Sequence, residues 1–225
     1  MTTAVIIQAR LGSSRLPAKV LLPLPTGNTV LEEVVSQCSD IGDIDHVVVA
    51  TPEKDLPIIE SAVSWMMHPN ASSRFDGFTL VGGSEHNVLA RYYQAACRVN
   101  ADTIMRITAD CPMIDPNVCW GVLAMHKSNG VHYTSNIWPK RLYPPGYDCE
   151  VFSMEALAAA HYTEDKILED MEHVTPLIRH YGKSVQYTPP FEEIDQRPRT
   201  LDTLDDYRRI WGMLADEIDT RRVSA

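Results

Sequence analysis

Hydrophobic positions along the chain follow two rhythms. Residues 3–8 (TAVIIQ) and 46–50 (HVVVA) are β-branched runs without polar alternation, the pattern of strands buried on both faces. Between them, Thr29 and Glu32 stand at capping-box spacing ahead of an apolar stripe of Val30, Leu31, Val34, Val35, Cys38 and Ile41, which predicts a helix over 29–41. A second helix is predicted near 56–67, following Asp55, then a loop over 68–77 (HPNASSRFDG) and a strand at 78–81. The next helix spans 88–99 with Asn87 as N-cap. TIMRIT at 103–108 reads as a strand, and Asp115 with Pro116 carries the N-cap and N1 signature of a helix ending near 128–130. Strands at 131–134, 149–152 and 184–188 and helices at 154–162, 171–180 and 203 to about 218 complete the chain. Regular strand–helix alternation predicts an α/β layered fold with a mostly parallel sheet flanked by helices. The less regular second half is expected to supply an antiparallel edge or a lid.

Composition narrows the function classes. At 225 residues and 44% hydrophobic content the chain can bury one sizeable core, and a single domain over 1–225 is expected. Neither a leader nor a run of about 18 apolar residues stands out, so a cytoplasmic protein with no membrane contact is expected. Cys38, Cys97, Cys111, Cys119 and Cys149 are odd in number and scattered, without a CxxC pair, and are expected to be reduced and mostly buried. The formal net charge of -10, with no basic run, argues against a nucleic-acid partner.

Against that acidic background, the turn after the first strand is unusual. QARLGSSRLPAK places Arg10, Gly12, Ser13, Ser14, Arg15 and Lys19 at the carboxyl end of a strand, where parallel α/β sheets bind ligands. Glycine and serines let backbone N–H groups approach an anion, arginines fork onto phosphate oxygens, and lysine adds a compact cation. The pattern is neither GxxxxGK[ST] nor GxGxxG. Taken alone, it leaves two readings open: a polyphosphate grip, or a solvated loop paired with surface carboxylates.

The run QARLGSSRLPAKVL resembles the signature of the cytidylyltransferases that activate sugars, which include the 3-deoxy-manno-octulosonate and acylneuraminate enzymes. It is most similar to the branch of spore coat polysaccharide biosynthesis protein F. GGSEHNVLARYYQAA at 82–96, RITADCPMIDP at 106–116, YTSN at 133–136, PGYDCEVFSMEAL at 145–157, EHVTP at 172–176 and RTLDTLDDY at 199–207 are similar to blocks of that branch in the same order. Residues 66–78 are longer and more polar than the branch leads one to expect. The resemblance implies a Rossmann-like nucleotidyltransferase fold like that of GT-A glycosyltransferases. It also implies transfer of CMP from CTP to a sugar or sugar acid, with magnesium, and a homodimer built through the acceptor-binding portion around 131–190. Residues 133–150, rich in aromatics and prolines, suit such an interface. Another nucleotide, a phosphonate or phosphorylated-alcohol acceptor, or a nucleotide-binding protein without turnover are the alternatives.

Site residues follow from the same resemblance. Arg15, Lys19 and Asp110 are the expected catalytic groups. Thr108, Ala109 and Asp110 join the 9–15 loop around the nucleotide, and Ser84 and Glu85 are candidates on its far side. Cytosine selection is expected from main-chain groups around Ala9 and Leu11 and from the segment 82–93, and Arg91 is either a nucleotide contact or a surface ion-pair partner. Asp110, just past a strand, suits a hard divalent cation that takes carboxylate and phosphate oxygens; the resemblance pairs it with Asp202 as a second ligand. Without the resemblance, Asp110 would be read as a capping residue and Asp202 as the flank of the helix from Thr203. Tyr133, Asn136, Asp148, Glu150, His173 and Thr175 offer the hydroxyl, amide, carboxylate and imidazole groups that a polyol acceptor needs, and each has an ordinary structural reading too. The Tyr92–Tyr93 pair and the tryptophans are read as core or interface.

Overall fold

The computed structural model describes residues 1–67, 77–188 and 194–224. The two hydrophobic rhythms become seven strands and eight helices among them. In chain order these are β1 (Thr3–Gln8), α1 (Val30–Ser39), β2 (His46–Pro52), α2 (Leu56–Val63), β3 (Phe78–Gly83), α3 (Val88–Arg98), β4 (Thr103–Thr108), α4 (Pro116–Asn129), β5 (Tyr133–Ser135), β6 (Glu150–Ser153), α5 (Met154–Tyr162), α6 (Leu168–His173), α7 (Thr175–Ile178), β7 (Ser184–Gln186) and α8 (Leu204–Ser224). The strands form one sheet ordered β3-β2-β1-β4-β6-β5-β7.

Among the described strands only β6 runs against its neighbours, pairing antiparallel with both β4 and β5. The antiparallel element expected at an edge is therefore an interior strand, and the outermost β7 pairs parallel with β5. Side chains alternate between two apolar layers. Val5, Ile7, Val49 and Met105 pack with α1, α2 and α4, whereas Ala4, Ile6, Val48 and Ile104 pack with α3 and α5. This double burial explains the unbroken β-branched runs. A third cluster, in which Leu24, Val30 and Met113 meet Leu201, Ile210 and Leu214, holds α8 across the start of the fold.

Caps follow the sequence closely. Thr29 and Glu32 form the reciprocal capping box of α1, Asn87 accepts from Ala90 N–H and Asp115 from Asn117 N–H. Most element ends shift by one or two residues, and three helices differ more. The helix predicted over 56–67 ends at Val63 and continues as a 3-10 turn over Ser64–Met67. The helix predicted over 171–180 is two short ones, because Pro176 has no N–H for the turn below and its ring opposes the carbonyl four residues back; the break falls at Val174, with φ 67°. The last helix runs on to Ser224. The loop expected over 68–77 lies, but for Gly77, outside the described residues.

All five cysteines are free thiols and only Cys97 is exposed. Tyr92 is core, but Trp65, Trp120 and Trp211 are exposed. No helix among the described residues is long and apolar enough to cross a membrane.

Candidate active site

The carboxyl ends of β1 and β4 open into a cleft of about 370 Å³ whose lining includes Gly12, Ser13, Ser14, Arg15, Lys19 and Asp110. Gln8 and Thr108 are register partners at these strand ends, so the 9–19 loop and the 109–111 turn leave the sheet side by side. Arg10, Thr108, Ala109, Asp148 and Asp202 line it too, whereas Ala9 and Leu11 do not.

Lys19 is the hub. Its ammonium donates to Asp110 Oδ2 at 2.6 Å, to Asp202 Oδ1 at 2.8 Å and to the Leu201 carbonyl at 2.8 Å. Thr108 donates to the other oxygen of Asp110 at 2.6 Å, and Arg15 stands 3.0 Å from Asp202. Leu201 N–H is tied to the Asp110 carbonyl at 2.8 Å, which anchors the segment before α8 to the turn after β4. Burial works to raise the Asp110 pKa, but the Lys19 charge and the hydrogen bonds from Lys19 and Thr108 outweigh it, so the carboxyl stays ionised below its usual range. Burial alone would lower the Lys19 pKa, and the two aspartates reverse that shift.

Asp202 does not cap α8. Thr203 and Asp206 perform that task reciprocally: Thr203 N–H donates to Asp206 at 2.9 Å and Asp206 N–H to the Thr203 hydroxyl at 3.2 Å. The Asp202 carboxylate is left to face the cleft. Two carboxylates meeting at one cationic centre fit a hard divalent ion, which takes one or two carboxylates and completes its shell with phosphate oxygens and water. No group of three or more His, Cys, Asp or Glu side chains suited to a metal occurs among the described residues.

The remaining candidates divide. Ser84 accepts from Asn87 N–H and Glu85 pairs with Lys54 at 2.6 Å; neither lines this cleft. Arg91 is 2% exposed and donates to the carbonyls of Ser84 and Glu85, so it is not a surface ion-pair residue. Ala9 N–H is held by the Ala50 carbonyl at 3.1 Å, and Leu11 N–H by Asp55 Oδ2 at 2.9 Å.

Of the acceptor-side residues, Asp148 lines the cleft with a forked pair to Arg141, and His173 lines an adjoining pocket. Tyr133, Glu150 and Thr175 are buried in one network beneath it. Glu150 Oε1 accepts from Tyr133, Thr175 and Arg179, and Oε2 from Arg106 at 2.6 Å. Burial would raise the Glu150 pKa, but the two guanidiniums bring it below its ordinary value. Asn136 is fully buried, bonded to Tyr147 O and Cys149 N. Arg106, Arg179 and Gln8 escaped the sequence reading. A charged residue inside the buried strand TIMRIT was the available signal for Arg106.

The family model described as Cytidylyltransferase matches residues 4–211. The spore coat polysaccharide biosynthesis protein SpsF of Bacillus subtilis is 33% identical over 98% of this chain and 89% of its own. An uncharacterized protein of Methanocaldococcus jannaschii, MJ1063, is 32% identical over 90% of this chain and 79% of its own. Among solved structures, a cytidylyltransferase from Leptospira borgpetersenii superposes with a TM-score of 0.80 at 26% identity, covering 94% of this chain and 85% of that one. The fold, cleft and motif order have one common reading: this chain is a nucleotidyltransferase and belongs to the cytidylyltransferase family.

Proposed function

We propose that the chain transfers CMP from CTP to a sugar or sugar-acid acceptor, releasing pyrophosphate, in the synthesis of a polysaccharide or glycoconjugate. The observation that carries this is the union of Asp110 and Asp202 at Lys19, beside the glycine–serine loop. An acceptor oxygen attacks the α-phosphorus; the new P–O bond forms as the bond to the bridging β-phosphate oxygen breaks, and the acceptor proton passes to solvent or a nearby base. Gly12, Ser13 and Ser14 offer close donors to the triphosphate, while Arg10, Arg15 and Lys19 neutralise it and the departing pyrophosphate. Magnesium held by Asp110 and Asp202 would supply Lewis-acid charge neutralisation at the phosphates. The chain's own share is positioning and electrostatics, which suffice for phosphoryl chemistry. Asp148 is the acceptor-side residue at the cleft, with His173 next to it. A homodimer is part of the reading on family resemblance; Tyr143 and Tyr147 of the 133–150 segment are turned into the fold, so any interface there uses its other residues.

The test is pyrophosphate release from CTP, ATP, GTP and UTP against pooled sugar acids and amino sugars. Release is expected with CTP. Equal release from all four would overturn the cytidylyl assignment.

A further inference from the structure

The main-chain donors expected to select the base are engaged, at Ala50 and at Asp55. One side-chain donor at the same place is not. Gln8 ends β1 and lines both the phosphate cleft and an adjoining pocket of about 140 Å³ that includes Arg10, Arg91, Glu172 and His173. Its Oε1 accepts from Arg106 at 3.2 Å. A guanidinium only donates, so the carboxamide must turn its oxygen to Arg106 and its NH2 away. Arg106 is itself fixed, since its other arm is bound to the fully buried Glu150, which Tyr133, Thr175 and Arg179 hold in turn. The Gln8 NH2 meets no acceptor among the described residues. In the same pocket wall, Arg91 is spent on the Ser84 and Glu85 carbonyls and Glu172 offers only acceptors. The donor left open to a ligand is therefore the Gln8 carboxamide, and an unmatched NH2 selects a ligand lone pair.

We propose that Gln8 reads the base of the bound nucleotide, its carboxamide donating to the lone-pair edge of cytosine while Arg106 positions it. Cytosine presents O2 and N3 as acceptors there. Uracil presents an N3–H that would oppose the amide donors, so the same contact that favours CTP disfavours UTP. With the phosphates on the Gly12–Arg15 stretch, the proposal sets the base at the pocket that Gln8 shares with Arg10. This inference rests on the cytidylyl reading above.

Calorimetric titration of CTP and of UTP, without any acceptor, into the wild-type protein and the Gln8→Glu and Gln8→Leu variants tests it. Gln8→Glu keeps an oxygen toward Arg106 and replaces the donors by an acceptor. CTP affinity is expected to fall about tenfold or more, with UTP binding retained or improved because its N3–H gains a partner. Gln8→Leu should lose the CTP preference without any gain for UTP. Arg106→Lys, which keeps a charge at Glu150 but loses the fork, should narrow the CTP-to-UTP ratio, a quantity that a merely structural role would not move. A wild-type preference for CTP that survives in both Gln8 variants overturns the inference and leaves the cytidylyl reading standing. Equal binding of CTP and UTP by the wild type overturns both. Preference abolished by the variants in a protein that releases no pyrophosphate upholds the inference and removes the activity.

Discussion

Lys19 binds two carboxylates carried by different segments of the chain, and each aspartate can be tested separately. Under the proposed mechanism, Asp110→Asn and Asp202→Asn each keep shape while removing one negative charge. Each is expected to lower kcat about a hundredfold or more, as loss of one preorganised electrostatic group does. Pyrophosphate release at saturating CTP across a magnesium series measures it; a near-wild-type kcat with unchanged magnesium dependence in either variant removes that residue from the metal site. The Lys19–Asp110 contact also has a pH signature. The Asp110 pKa is depressed below 3.8, so its stabilisation is complete above that value and disappears as pH falls through the lower, folded one. The Lys19 pKa is raised above 10.5, so its share is complete below that value and is lost as pH rises through the higher, folded one. The residue types of this hub were legible because glycine, serine and basic side chains cluster in one short acidic-background stretch. Gln8 was not, because a strand's last polar residue has nothing in its spacing to distinguish a ligand contact from a surface position.

At the scale of elements, the β4–β6 pair carries a buried ion network in place of apolar packing. Glu150→Gln leaves Arg106 and Arg179 without their counter-charge and is expected to cost about 3–5 kcal/mol in urea denaturation, the usual penalty for breaking a buried pair from one side. The reciprocal cap of α8 predicts a smaller effect. Thr203→Ala should cost about 1 kcal/mol with kcat little changed, whereas Asp202→Asn should leave stability near wild type and remove activity. That contrast separates capping from chemistry at adjacent positions. Strand and helix identities were largely readable, since both faces of β1, β2 and β4 are covered and their apolar runs are uninterrupted. The direction of β6 was not readable: EVFS has the same composition whichever way it runs, and only the path from β5 back through residues 136–149 decides it. The split at Val174 was readable in principle from Pro176, and its significance lies in setting Thr175 on Glu150 while His173 faces the side pocket.

For the whole molecule, the sheet opens its cleft at β1 and β4, and the groups of the nucleotide reading gather there except Ser84 and Glu85 and the engaged main-chain donors of Ala9 and Leu11. Ligand binding to the folded state raises its melting temperature by mass action, so CTP with magnesium is expected to raise it more than ATP, GTP or UTP; equal shifts would count against cytosine selection. Sedimentation at high micromolar concentration is expected to show a dimer, and a strictly monomeric profile removes the assembly from the proposal. The strap from Leu201 to Asp202 has a consequence in time as well as in space. Asp202 is made 183 positions after Lys19. A chain growing from its amino end therefore has the phosphate loop and Asp110 well before their last partner exists. Until α8 docks on Leu24, Val30 and Met113, the nascent chain has the 9–19 loop and Asp110 without Asp202, so under the proposed mechanism catalytic competence waits for this late segment.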